Sequence, residues 1–365
     1  MRNRDIKLET DKLTISPETS LLDALSLMDT IDRKLLLVLK DNLFFSLLSI
    51  GDIQRAIINN HPFDTPIKEI LRRKVEVGHV ADSREQLMKV MLNHRTEFMP
   101  ILNDAGVVED VIFWEDVYET ENKEVKQGLK DMPVIIMAGG KGTRLKPITN
   151  IIPKPLIPLG EKAMIELIID RFYKYGAKKF LISINYKGEA IRRFFDDMPD
   201  KPYSIDCFEE GKALGTAGSM YLLKDKISQT FFVSNCDILI DQDYNDVLNY
   251  HRENNNELTI VAAIKKYNIP YGTLQTTQNG LLEEIKEKPE LVYQINSGVY
   301  ILEPHLLNDI PENEFYNITD LIEKIMERKG RVGVWPVSEK SWLDIGDWNE
   351  YLESMKFMNK TQGFK

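Results

Sequence analysis

The apolar run Val134-Ile135-Ile136-Met137-Ala138 stops at Gly139-Gly140-Lys141-Gly142-Thr143-Arg144. No other stretch of the chain limits its fold so tightly. The run reads as a buried strand, and the glycines turn the backbone at once. Glycine adopts conformations closed to other residues and lets peptide N–H groups approach an anion. From Pro133 to Gly160 there are four basic residues (Lys141, Arg144, Lys146 and Lys154) and no acidic one, although the 365-residue chain has a formal net charge of -10. A basic turn on an acidic protein is a local device for phosphate, not a property of the whole surface. It is not the phosphate loop of NTPases, because Gly142 stands where that loop needs Ser or Thr. Its glycine spacing also departs from the dinucleotide fingerprint. A plain strand-to-loop turn needs no cations. Here Arg144 offers a planar fork for two phosphate oxygens, and Lys154 offers a mobile point charge.

From Pro133 onward apolar strands alternate with amphipathic helices. Phe180-Leu181-Ile182-Ser183-Ile184 and Phe231-Phe232-Val233-Ser234 read as buried strands, and Ile165 to Phe172 as an amphipathic helix. This alternation predicts an α/β fold with a Rossmann-like, mainly parallel sheet. Ligands on such sheets lie beyond the carboxyl ends of the strands, where Asn235-Cys236-Asp237 falls. The two cysteines, Cys207 and Cys236, exclude a disulfide framework and fit a reducing compartment. No apolar run reaches the roughly 20 residues that span a bilayer, and the first residues lack a signal-peptide core. The expectation is a cytoplasmic protein with no membrane and no nucleic-acid partner, since no broad basic stripe is present.

The first third holds a weak internal repeat, offset by about 63 to 64 residues. Ser20 and Ser83 each precede a helical period and can cap it. Each helix leads to an apolar strand, a turn and a second strand that ends in an aspartate, Asp52 and then Asp116. This pattern resembles a tandem pair of cystathionine-beta-synthase (CBS) motifs over residues 1–122, with copies at about 8–62 and 70–122. The resemblance implies that Ser49, Asp52 and Asp116 are ligand candidates for the ribose of an adenine nucleotide. Phe113 replaces the hydroxyl in the second copy. A packing or dimerisation module without a ligand is the alternative. The charged stretch around residues 123–131 reads as a linker to a second domain over 132–365.

The segment AGGKGTRLKPIT…PKPLIPLGEKAM resembles the glycine-rich signature of the sugar-1-phosphate nucleotidyltransferases. Leu214-Gly215-Thr216-Ala217-Gly218, Asn235-Cys236-Asp237, Tyr271-Gly272, Glu287-Lys288-Pro289, Asn296-Ser297-Gly298 and Trp342-Leu343-Asp344-Ile345-Gly346 follow in that family's order. The resemblance covers about residues 132–355 and implies the nucleotidyltransferase (GT-A-like) fold. It implies Mg²⁺ as cofactor, held by Asp237 and Asp344. It implies Arg144, Lys154 and Asp237 as catalytic residues. Nucleotide contacts fall to Ala138, Gly139, Gly140, Gly142, Thr143, Glu209, Leu214 and Gly215. Sugar-phosphate contacts fall to Gly272, Glu287, Lys288 and Asn296. One departure stands out: Cys236 replaces the usual glycine of Asn-Gly-Asp.

The reaction so implied joins an NTP to a sugar 1-phosphate, and its nucleophile is already anionic. Charge stabilisation and alignment then replace a general base. Glu209-Glu210 precede the Leu214 motif, and a carboxylate accepts hydrogen bonds only. Guanine presents two adjacent donors, so GTP is the expected nucleotide. The CBS fusion narrows the resemblance to guanylyltransferases of legionaminic acid synthesis, which implies glucosamine 1-phosphate, with mannose 1-phosphate or a uridylyl- or thymidylyltransferase as alternatives. A homo-oligomer is expected. A non-catalytic sensor of sugar nucleotides is the competing class.

Overall fold

In the computed structural model residues 12–72, 74–83, 86–87, 90–91, 98–113 and 127–361 are described. The chain divides into two compact units, Met1–Glu124 and Val125–Lys365.

The first unit contains β1 (Thr14–Ile15), α1 (Leu21–Ile31), β2 (Leu35–Lys40), β3 (Leu43–Ser49), α2 (Ile50–Ile58), β4 (Gly78–His79), β5 (Phe98–Leu102) and β6 (Val108–Phe113). Strands β1, β2 and β3 form one three-stranded sheet and β4, β5 and β6 another. Both share one topology, a parallel pair followed by an antiparallel pair. The offset from Thr14 to Gly78 is 64 positions. Ser20 Oγ accepts the Asp23 N–H at 3.1 Å, and Ser83 Oγ accepts the Gln86 N–H at 3.3 Å. A serine cap of this kind contributes about 1 kcal/mol. Leu35, Leu37 and Leu47 of one sheet share a core with Phe98, Val111 and Phe113 of the other.

The second unit contains β7 (Pro133–Met137), β8 (Pro158–Leu159), β9 (Lys162–Ala163), α3 (Met164–Lys174), β10 (Lys179–Ile184), α4 (Gly188–Asp196), β11 (Ser204–Glu209), β12 (Phe231–Asn235), β13 (Ile238–Ile240) and α5 (Tyr244–Glu253). It continues with β14 (Leu258–Asn268), β15 (Thr273–Thr276), β16 (Leu282–Lys286), β17 (Glu290–Leu302), α6 (Ile318–Glu327), β18 (Val332–Ser338), β19 (Trp342–Asp344) and α7 (Trp348–Thr361). A seven-stranded sheet has the order β11-β10-β7-β12-β17-β14-β18. Only β17 runs against the rest. Both faces are covered. Val134 and Ile136 of β7 enter one core, while Ile135 and Met137 enter the other. Burial on two faces explains why β7 is apolar throughout rather than alternating. Phe172 of α3 stacks on Tyr244 of α5 at 4.3 Å in the first core, and truncating such a ring costs roughly 3–5 kcal/mol.

The stretch read as a linker ends earlier than its charge suggests. Leu129 is fully buried, its N–H bonds Tyr175 O at 3.1 Å, and Gly128 N–H bonds Asn245 Oδ1 at 3.1 Å. One leucine among polar neighbours is enough to dock the segment. Among the described residues no helix is long and apolar enough to cross a membrane.

Candidate active site

The carboxyl ends of β7, β10, β11 and β12 lie together, because these four strands are parallel neighbours. At the end of β7, Ala138 spends its N–H on Ser183 O at 2.9 Å, so it offers no donor to a ligand. Among the described residues, the N–H groups of Gly139, Gly140, Lys141 and Gly142 have no protein acceptor. Unpaired N–H groups in sequence form a cradle for an anion. Gly142 has φ 61°, and a Cβ there would lie 2.8 Å from Thr149 Cγ2 and 3.0 Å from Lys154 Cβ. Both the conformation and the space therefore require glycine. Thr143 opens a single helical turn whose Leu145 is fully buried with Ile157, Leu159, Met164 and Ile345. That anchor leaves Thr143 and Arg144 exposed on the outer side.

The two aspartates converge through local pairing. The chain leaves β12, passes Asp237 and pairs β13 antiparallel with β19, with Ile238 opposite Asp344. Ile345 N–H donates to Asp237 O at 2.9 Å. Asp344 and Asp237 are thus diagonal neighbours, although 107 positions separate them. Burial first, and the Asp237 charge second, hold the Asp344 carboxyl above its ordinary range, against the Gly346 N–H and the Lys154 and Arg144 charges. Gly346 N–H donates to Asp344 Oδ1 at 2.7 Å. Lys154 Nζ donates to Asp237 Oδ2, and both side chains are only 11% exposed. A Cβ on Gly346 would lie 3.0 Å from Arg144 Nη2. Arg144, Lys154, Asp237 and Asp344 therefore form one cluster.

Two mutually repelling carboxylates suit a hard divalent cation. Among the described residues no group of three or more potential ligands exists. The Asp237 and Asp344 carboxylates are a donor set that Mg²⁺ can use, because it commonly takes one or two carboxylates and fills its shell with phosphate and water. Cys236 does not intrude. Its side chain joins the hydrophobic core, and burial, with the neighbouring Asp237 charge, pushes its thiol up to about 12.

The paired glutamates part company at the end of β11. Glu209 is exposed and sits 3.9 Å from Arg192. Glu210 is buried. Its Oε1 accepts from the Ser183 hydroxyl, its Oε2 accepts the Leu214 N–H at 3.3 Å, and Oε1 lies 2.9 Å from where a Gly139 Cβ would stand. The residue between the glycine turn and the Leu214 loop is therefore Glu210, not the expected Glu209. Strand alternation decides the matter, and two adjacent glutamates conceal it. Leu214 is buried, and Gly215, at φ 81°, packs its bare Cα against Tyr316 O. That glycine is explained by loop packing.

Beside the β15–β16 hairpin, Glu287 Oε2 lies 3.0 Å from where a Gly272 Cβ would stand, so these two residues meet. Lys288 is exposed, with φ 46°. Asn296 is exposed, and its Oδ1 accepts the Gly298 N–H at 3.1 Å. Gly298 in turn abuts Asn235, which links this strand to the Asp237 strand end.

In the first unit, Ser49 and Asp52 are already partnered. They form a reciprocal capping box on α2, and Asp52 Oδ1 accepts from Arg72 Nε at 2.7 Å and from Arg55. Burial opposes ionisation of Asp52, but the Ser49 and Arg72 hydrogen bonds outweigh it and hold its carboxyl below the ordinary range. A helix cap accounts for both residues without a ligand. Asp116 lies outside the described residues.

The sequence reading missed three positioning elements. Trp348 Nε1 donates to Lys146 O at 2.7 Å, Tyr351 OH donates to Pro158 O at 3.0 Å, and Gly346 leaves room for Arg144. The first two fasten α7 across the segment that carries Arg144 and Lys154. The aromatic residues just after Asp344 were the available signal.

The profile of the family described as Nucleotidyl transferase matches residues 133–361. The chain is 29% identical over 233 residues to the probable mannose-1-phosphate guanylyltransferase 2 of Oryza sativa subsp. japonica, covering 62% of this chain and 64% of that protein. It is 30% identical over 233 residues to mannose-1-phosphate guanylyltransferase 1 of Arabidopsis thaliana, with the same coverage of 62% and 64%. It is 31% identical over 245 residues to the UTP--glucose-1-phosphate uridylyltransferase of Synechocystis sp. (strain ATCC 27184 / PCC 6803 / Kazusa), covering 62% and 63%. The chain spans less than two thirds of the length of these relatives.

Proposed function

This chain belongs to the nucleotidyl transferase family, and from that premise we propose that it transfers a nucleotidyl group from an NTP to a sugar 1-phosphate, releasing pyrophosphate. A phosphate oxygen of the sugar 1-phosphate attacks the α-phosphorus, and the bond from that phosphorus to the bridging oxygen breaks in line. Pyrophosphate leaves with the electron pair. The obstacle is repulsion between two anions, so the protein's work is alignment and neutralisation. The free N–H groups of Gly139 to Gly142 orient the phosphates. Arg144 and Lys154 carry the charge that develops on the α-phosphoryl group and on the leaving group. Lys288 meets the phosphate of the sugar, with Gly272, Glu287 and Asn296 at its hydroxyls. Asp237 and Asp344 would hold Mg²⁺, which supplies Lewis-acid neutralisation of phosphate charge when bound. The observation that carries this reading is the meeting of Lys154, Asp237, Asp344 and Arg144 beside unpaired glycine-turn amides.

For the base we propose guanine, read by Glu210 between the glycine turn and the Leu214 loop. A carboxylate there accepts from guanine N1–H and N2–H₂, whereas it faces a carbonyl on uracil or thymine. The guanylyltransferase names of two relatives support this choice, and the uridylyltransferase name of the third supports the alternative. For the sugar, the resemblance to CBS-fused enzymes of legionaminic acid synthesis favours glucosamine 1-phosphate, while the names of those two relatives favour mannose 1-phosphate. The repeat in the first unit supports a CBS pair, and an adenine nucleotide is its proposed ligand.

A crossed screen of four NTPs against hexose and hexosamine 1-phosphates, read as pyrophosphate release in Mg²⁺, tests the whole reading. GTP with one sugar 1-phosphate is the expected pair. Release with no pair would replace the enzyme by a sugar-nucleotide sensor.

A further inference from the structure

We propose that Lys154 holds the cation position of the nucleotide-free protein, so that the divalent ion enters with the nucleotide and not before it. This rests on the reading of Asp237 and Asp344 as the metal carboxylates. The Lys154 ammonium already donates to Asp237 Oδ2, from a position 83 residues earlier in the chain. Both side chains are shielded from water, where charges interact strongly. An incoming cation needs the Asp237 lone pairs that the ammonium now uses. It also meets the positive charge of Lys154 and of Arg144.

The local charge sum makes the same point. Two carboxylates, one ammonium and one guanidinium already cancel, so a bare divalent ion adds two uncompensated positive charges. A nucleotide brings the negative charge that removes this excess. It also brings new acceptors for the ammonium. The path is short, because the Lys154 stem runs beneath the glycine turn, with Cβ 3.0 Å and Cδ 3.5 Å from where a Gly142 Cβ would stand. Rotation of the outer side-chain bonds moves Nζ from Asp237 toward the unpaired amides of Gly139 to Gly142 while the stem stays packed. Gly142 thus has a second purpose: it lets the lysine stem pass under the turn.

The test is Mn²⁺ affinity of the full chain, measured by electron paramagnetic resonance of the free ion, with and without α,β-methylene-GTP. In the wild-type protein, nucleotide should tighten Mn²⁺ binding at least about tenfold. Lys154→Met should tighten nucleotide-free binding by a similar factor and shrink the nucleotide effect. Lys154→Arg keeps the charge, so its nucleotide-free binding should stay weak. Adding Asp344→Asn to Lys154→Met should abolish the gain. Lys154→Met with native melting temperature and unchanged or weaker nucleotide-free affinity would overturn the competition while leaving the metal reading intact. Wild-type protein that binds no Mn²⁺ even with the nucleotide analogue, and that Asp344→Asn leaves unaltered, would overturn both.

Discussion

Gly346→Ala probes the joint between Asp344, the proposed metal carboxylate, and Arg144, the proposed phosphate-binding arginine. A methyl group on Gly346 would stand 2.7 Å from Asp344 Oδ1, 3.0 Å from Arg144 Nη2 and 3.3 Å from Arg144 Cζ. Carbon does not approach so closely, so the carboxylate must swing away or the guanidinium must lift. Gly346 does not use a left-handed backbone, so alanine carries no conformational penalty of its own. The bond at risk is the 2.7 Å donation from Gly346 N–H to Asp344 Oδ1. A hydrogen bond to a charged group is worth roughly 1.5–3 kcal/mol. At 1.36 kcal/mol per factor of ten, misplacing it in the transition state lowers kcat about 10- to 100-fold. The stability change is smaller, because alanine also restricts the unfolded chain by about 0.4–1 kcal/mol. Initial rates of pyrophosphate release, measured beside the melting temperature, separate the two effects. A variant with native Tm and kcat within about twofold of wild type, below one tenfold step, would refute the placement of Asp344 and Arg144 in one catalytic cluster.

The other substitutions follow the same geometry. Glu210→Gln should relax GTP preference about tenfold or more, at 1.4 kcal/mol per factor of ten, whereas Glu209→Gln should leave it unchanged; competition assays between GTP and UTP read both. Asp344→Asn should abolish measurable turnover yet raise Tm at pH 7. Its carboxyl is held up in the folded state by burial and by Asp237, so its stabilising contribution is complete below the unfolded value near pH 4 and is lost as pH rises through the folded value. The Tm difference should therefore close as pH falls toward about 4, and a constant difference would contradict it. Trp348→Phe keeps the ring contact with Tyr351 but loses the bond to Lys146 O. A loss of about 0.5–1.5 kcal/mol should appear as a several-fold rise in KM for the nucleotide.

The glycine-turn side of the candidate site was legible from local signals. The glycine turn declares itself because strand, glycines and cations are contiguous, and the structure leaves its amides unpaired as that pattern suggests. The meeting of Asp237 with Asp344 was legible only through resemblance, since nothing in the spacing reveals that β13 pairs with β19. The choice between Glu209 and Glu210 was not legible, because it depends on which residue turns inward where β11 ends. The close packing of Gly215 against Tyr316 O was hidden for a related reason: it is a tertiary contact across the loop, invisible locally. Ser49 and Asp52 carry a ligand-like spacing that is also a capping-box spacing, and their hydrogen bonds satisfy the cap. Leu129 shows the opposite error, where a charged stretch hid a single residue that docks it.

The most direct measurement is the anomalous scattering of Mn²⁺ in crystals of the full chain grown with α,β-methylene-GTP. The expected result is one strong peak shared by the Asp237 and Asp344 carboxylates and a phosphate oxygen, with Lys154 Nζ moved onto phosphate. A nucleotide seated at the glycine turn with manganese bound away from both aspartates would contradict the proposed centre.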